Sequence, residues 1–177
     1  MRKANRKKTI ISIAFVILIF TICAFYSRPM TLSQIYPQVA LDKCTEIRGY
    51  YEIGTQAEPT RFIISSESKE FNELYSLLYE RSYRRSLRDI LPRGTRIHRT
   101  EPDDYQWEVY FFFEEDIEMS DGSISSGAML QFHNWYGELD IYFNGDRHFY
   151  NTSEQEIWGK EILDIIQSTG TERGSST

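Results

Sequence analysis

Apolar residues run without a charge from Thr9 to Ser27, and no polar position breaks them into the stripe of an amphipathic helix. As a helix rising about 1.5 Å per residue, those 19 residues reach roughly 28 Å, close to the hydrocarbon thickness of a bilayer. The pattern changes after Arg28. RPMTLSQIYPQVAL carries two prolines and reads as a linker or short docking segment. From Thr45 to Ile53, Ile47, Tyr51 and Ile53 alternate with Glu46, Arg48 and Glu52, the period of a half-buried strand. Thr60 to Ser66 reads as a second strand, close enough to form a hairpin with the first.

Ser66 offers an N-cap before Phe71, Leu74, Tyr75 and Leu78, which recur at helical spacing and predict a helix from about Glu67 to Arg81. Beyond it the phase slips, predicting a break near Ser82 and a short strand or irregular helix before Pro92-Arg93-Gly94. Tyr105 to Glu115 is the strongest strand, with Tyr105, Trp107, Val109, Phe111 and Phe113 on one face. Strands follow at Ala128 to His133, Glu138 to Phe143 and Arg147 to Tyr150, the last two joined by the hairpin signal Asn144-Gly145. Ser153-Glu154-Gln155-Glu156 matches a capping box. It opens a helix whose Trp158, Ile162, Ile165 and Ile166 form one stripe ending near Gly170.

These elements predict an α+β fold: an N-terminal transmembrane helix, then one antiparallel sheet of about six strands with two helices packed on one face. The expected division is a basic tail at 1–8, a signal-anchor at 9–27, a linker at 28–42, a domain at 43–170 and a disordered tail at 171–177.

Charge orients this layout. Arg2, Lys3, Arg6, Lys7 and Lys8 precede the apolar run, and basic residues resist translocation, so the N-terminus is expected on the cytoplasmic side of the cell membrane and the domain across it. Cleavage as a signal peptide is disfavoured, because the run is long and no small-x-small triplet closes it: Ile22 precedes Ala24 and Phe25 precedes Ser27 at the required spacing. A lipoprotein signal ending at Cys23 would place the bulky Ile22 where a small residue belongs. All 26 acidic residues and 15 of the 20 basic ones lie from Arg28 onward, a formal charge of −11 that argues against nucleic-acid binding. With Cys23 inside the apolar run, Cys44 has no partner for an internal disulfide and reads as a small buried hydrophobe or an intermolecular thiol.

Little in the chain points to chemistry. His98, His133 and His148 belong to no metal-binding or nucleophile motif, and no cofactor or metal is expected. The acids Glu114, Glu115, Asp116, Glu118 and Asp121 fail as a calcium loop, because Gly122 at its sixth position puts Ile117 and Met119 where oxygen ligands are required. Arg81, Arg84, Arg85 and Arg88 fall at i, i+3, i+4 and i+7. They form one stripe if the helix continues, able to bind an anion or to pair with the domain's own carboxylates.

The central strand turns Gln106, Glu108, Tyr110 and Phe112 away from the core. If Asn144-Gly145-Asp146 is a three-residue loop, Phe149 pairs with Ile141 in the core, and Tyr142 and His148 join Tyr110 and Phe112 on an open face. Such a face suits a peptide, a glycan or another subunit.

The basic tail, single span and exported α+β domain resemble, in layout alone, small single-span membrane-anchored proteins of Gram-positive bacteria. The expected function is a membrane-tethered extracytoplasmic binding domain for a protein or cell-envelope ligand. The alternative is an envelope-associated enzyme whose catalytic residues are not adjacent in sequence.

Overall fold

The computed structural model describes residues 2–37, 39, 43–55, 58–89, 104–113, 117–118, 122, 124–125, 129–135, 137–143 and 145–169, without the side chains of 2–8, 88, 117–118 and 124–125. The segment holding Arg93, Arg96, His98 and Arg99, most of the acidic run from Glu114 to Asp121, and the tail 171–177 lie outside the described residues.

The apolar run forms helix α1 (Arg2–Tyr26), and the stretch Thr9–Tyr26 is long and apolar enough to cross a membrane, with none of it buried in the protein. Strand β1 (Pro29–Met30) and the single turn α2 (Leu32–Ile35) follow, and Leu32 and Tyr36 are buried in the core. The rest comprises β2 (Cys44–Ile53), β3 (Thr60–Ser65), α3 (Lys69–Tyr79), β4 (Tyr83–Arg85), a 3-10 turn at Leu87–Asp89, and β5 (Tyr105–Phe113). After these come β6 (Ile117–Glu118), β7 (Ile124–Ser125), β8 (Met129–Trp135), β9 (Glu138–Phe143), β10 (Asp146–Thr152) and α4 (Gln155–Ser168).

The fold is α+β around one antiparallel sheet, but that sheet has eight strands where about six were expected, in the order β1-β4-β10-β9-β8-β5-β2-β3. The predicted meander, β5-β8-β9-β10, sits at its centre and the β2–β3 hairpin extends one side. The additional strands β1 and β4 are two and three residues long and extend the β10 side. Segments this short carry no periodicity of their own and exist through pairing. β6 and β7 form a separate two-stranded ribbon.

Strand alternation places Ile47, Trp107, Val109, Phe111, Phe132 and Ile141 in the core, under α3 and α4. Helix α3 buries Phe71, Leu74 and Leu78; its N-cap is Ser68 rather than the expected Ser66, and the Ser68 hydroxyl accepts from the Phe71 N–H. Helix α4 packs tightly on the sheet at Gly159, where an added Cβ would lie 2.6 Å from the Tyr105 hydroxyl. There Trp107 Nε1 donates to the Gly159 carbonyl at 3.0 Å, and the two indoles of Trp107 and Trp158 meet edge to face.

Two local expectations are corrected. The capping box at Ser153 does not form: α4 begins at Gln155, after Glu154 in the left-handed conformation (φ 49°). The Gln155 side chain instead accepts from Thr152 N–H and donates to the Gly137 carbonyl, so tertiary bonds shape this helix start. The arginine stripe does not form either, because α3 ends at Tyr79, and Arg84 and Arg85 fall in an extended strand that sends neighbouring side chains to opposite faces.

Candidate functional site on the open sheet face

Antiparallel register lines up one residue from each of six strands across the face turned away from α3 and α4. Arg61 of β3 pairs with Tyr50, Tyr50 with Glu108, Glu108 with His133, His133 with Asp140, and Asp140 with Phe149. Residues directly opposite across antiparallel strands project on the same side, so this row is a strip of side chains crossing the sheet.

The centre of the row is polar and closed to water. Glu108 is 4 % exposed and Asp140 2 %. Trp135 Nε1 donates to Glu108 Oε1 at 3.0 Å, and the Tyr110 hydroxyl donates to Glu108 Oε2. The His133 ring lies between the two acids, Nδ1 at 3.0 Å from Asp140 Oδ1 and Nε2 at 3.7 Å from Glu108 Oε2. Arg147 donates to Asp140 Oδ2 at 2.6 Å.

Burial alone would raise the Asp140 carboxyl, but contact with His133 and Arg147 outweighs it and holds the group below the ordinary aspartate range. Burial, reinforced by Glu108, pushes the Tyr50 phenol up to about 12 and raises Tyr110 as well. Both phenols therefore remain protonated, as donors, at neutral pH.

Aromatic side chains roof this network. Trp135 is 43 % exposed and stacks on His133 with ring centroids 6.0 Å apart. The Arg147 guanidinium lies over both Trp135 and Phe149, at 5.8 and 5.6 Å from their centroids. Arg48 covers Phe112 at 4.9 Å, and Tyr50 and Tyr110 tilt against each other. No described helix crosses this face: α3 and α4 pack on the other one, and Tyr36, after α2, reaches Phe143 and the Ile141 carbonyl on that other side.

Of the residues expected on the open face, Tyr110, Phe112 and Tyr142 are there and half-buried. His148 is not. The β9–β10 connection holds two residues, with Phe143 opposite Asp146 and Gly145 at φ +95°, so His148 pairs with Ile141 and projects to the helix side. There its Nδ1 lies 3.1 Å from Asp89 Oδ2. Phe149 takes the open-face position instead.

The arginines are dispersed. Arg81 donates to Thr152 Oγ1 and the Ser153 carbonyl and lies over Trp158. Arg84 is exposed opposite Asn151, and Arg85 lies over the Tyr26 ring on the helix side. The Arg88 side chain lies outside the described residues.

Trp135, Asp140 and Arg147 were not singled out from sequence, and His133 stood there only as a histidine outside any motif. Alternation from Leu130 and Phe132 assigns His133 to the open face, but only the register of two strand pairs, β5–β8 and β8–β9, shows that it meets Glu108 and Asp140. Among the described residues no group of acidic, histidine and cysteine side chains could hold a metal ion. No family model, curated protein or solved structure matches the chain.

Proposed function

We propose that the chain is a single-span, membrane-tethered binding protein. Its basic tail is cytoplasmic, and its open sheet face receives a protein or cell-envelope ligand on the opposite side of the membrane. The observation that carries this reading is the roof of Tyr110, Phe112, Trp135, Tyr142 and Phe149 over a buried polar row in which Trp135 and Tyr110 donate to Glu108, Arg147 donates to Asp140, and His133 lies between the two acids. Such a surface has rigid aromatic contact area at small entropic cost, and Arg48 and Arg147, paired with Glu46 and Asp140, present their remaining N–H groups at its edge. The formal charge of −11 keeps the rest of the domain soluble and repels anionic surfaces.

Two measurements test it. Protease added to intact spheroplasts should digest the domain; protection until lysis would reverse the orientation. Full-length protein in detergent should sediment with isolated cell-wall polymer or retain a specific envelope protein, and Trp135→Ala should lower either by about tenfold, as expected for a central aromatic anchor. Binding that is unchanged by both Trp135→Ala and Tyr142→Ala would remove the open face from the function.

The enzyme alternative draws on the Glu108–His133–Asp140 row, a histidine held between two carboxylates. It calls for wall polymer turnover by the wild type that His133→Gln abolishes while thermal stability is preserved.

A further inference from the structure

Where α1 leaves its apolar run, it meets β1 and β4 around a cavity of about 450 Å³ lined by Thr21, Ile22, Phe25, Met30, Arg28 and Arg85. Tyr26 lines it as well; with the Thr21 hydroxyl spent on the Ile17 carbonyl at 2.9 Å and the Tyr26 hydroxyl on Asp89, the two guanidinium groups are the polar groups left on otherwise apolar walls. Arg28 lies over Phe25 at 4.7 Å and Arg85 over Tyr26 at 5.5 Å, so both stems follow aromatic surface; Arg85 also faces the Tyr150 hydroxyl, and its remaining N–H groups, like those of Arg28, are left for another acceptor. Arg85 Nε is buried without a hydrogen-bond partner. The nearby acid, Asp89, is engaged with His148, the Tyr26 hydroxyl and the Phe149 N–H. Among the described residues, neither arginine forms an ion pair.

We infer that this cavity holds an anionic phospholipid, its phosphodiester between Arg28 and Arg85 and its chains along Ile22 and Phe25. The inference rests on the membrane span proposed above, since the cavity then opens where the hydrocarbon region ends and phosphates begin. It holds for either orientation of the helix. Paired guanidiniums match the phosphate oxygens, and their combined charge favours a head group without a compensating amine. The apolar walls select a lipid over free phosphate, which would gain nothing from Ile22, Phe25 and Met30.

The test uses the full chain reconstituted in vesicles of phosphatidylglycerol and phosphatidylcholine in equal parts, then extracted in mild detergent for native mass spectrometry. Wild type should retain one phosphatidylglycerol in preference to phosphatidylcholine. Arg28→Gln and Arg85→Gln should each reduce that retention by about tenfold, the loss of one charge-assisted hydrogen bond, with Arg85→Lys restoring part of it. Arg28 is exposed, so its variant folds whatever becomes of Arg85. Millimolar inorganic phosphate should not displace the lipid.

Equal retention by wild type and variants, or displacement by inorganic phosphate, would overturn the lipid site. A carbonate wash separates the two readings. A chain that stays in the vesicles without arginine-dependent lipid refutes the site alone, whereas a chain washed off refutes the span and the site with it.

Discussion

Replacing Asp140 by Asn tests whether the row across the open face is a coupled network. The substitution keeps shape and one acceptor oxygen but removes the charge that faces His133 and Arg147. The Asp140 side chain is 3 % exposed, and breaking a buried ion pair from one side costs about 3–5 kcal/mol when the remaining charge stays buried. Arg147 is 37 % exposed, so water takes up part of its charge, and the expected loss falls to about 2 kcal/mol.

The pH dependence has a definite sign. Because the folded carboxyl titrates below its unfolded value, its stabilisation is complete above the ordinary carboxylate range near 4 and disappears as pH falls through the lower folded value. Urea unfolding of the full chain in micelles, followed by tryptophan fluorescence, should show the gap between wild type and Asp140→Asn at pH 7 closing on acidification. An Asp140→Asn protein as stable as wild type at pH 7, or a gap that persists at the acid end, would refute the coupling. So would an absence of coupling energy in a double-mutant cycle with Arg147→Gln.

Two further outcomes follow from the core. Gly49→Ala should destabilise by about 3 kcal/mol or more, since the new Cβ would stand 1.9 Å from the Glu108 carbonyl oxygen and 2.6 Å from the Phe62 ring; urea unfolding measures it. Cys44 should resist maleimide at pH 8 in the native protein and react on unfolding, because burial pushes its thiol up to about 12 and little thiolate exists below that; rapid native labelling or a native intermolecular disulfide would contradict its placement.

Period-two alternation was sufficient to read the core of the meander: Trp107, Val109, Phe111, Phe132 and Ile141 are all buried. It also assigned Glu108, Tyr110 and Phe112 to the other face. It failed wherever register or long-range pairing decides. One residue of loop length moved His148 from the open face to Asp89, because a strand's side chains change faces with each step. Arg84 and Arg85 continue a helical spacing on paper, yet β4 exists because it pairs with β1 and β10, far away in sequence. The Glu108–His133–Asp140 row needs three strands in register at once, and no local signal carries that information.

Asp89 connects the two regions of interest. Its Oδ1 accepts from the Phe149 N–H, and its Oδ2 accepts from the Tyr26 hydroxyl at 3.2 Å and lies 3.1 Å from His148 Nδ1. One carboxylate thus ties the end of the apolar helix to β10, the strand that places Phe149 and Arg147 on the aromatic face. Ser86 N–H adds a second bond to the same strand through the Phe149 carbonyl. The chain leaving α1 enters the sheet at once, as β1 beside β4. If α1 crosses a membrane as proposed, an aromatic surface held in this way has a set direction relative to the bilayer. In the membrane-tethered reading proposed above, the preferred ligand is one itself fixed to the membrane or wall, because a partner oriented by the same surface loses less rotational freedom on binding.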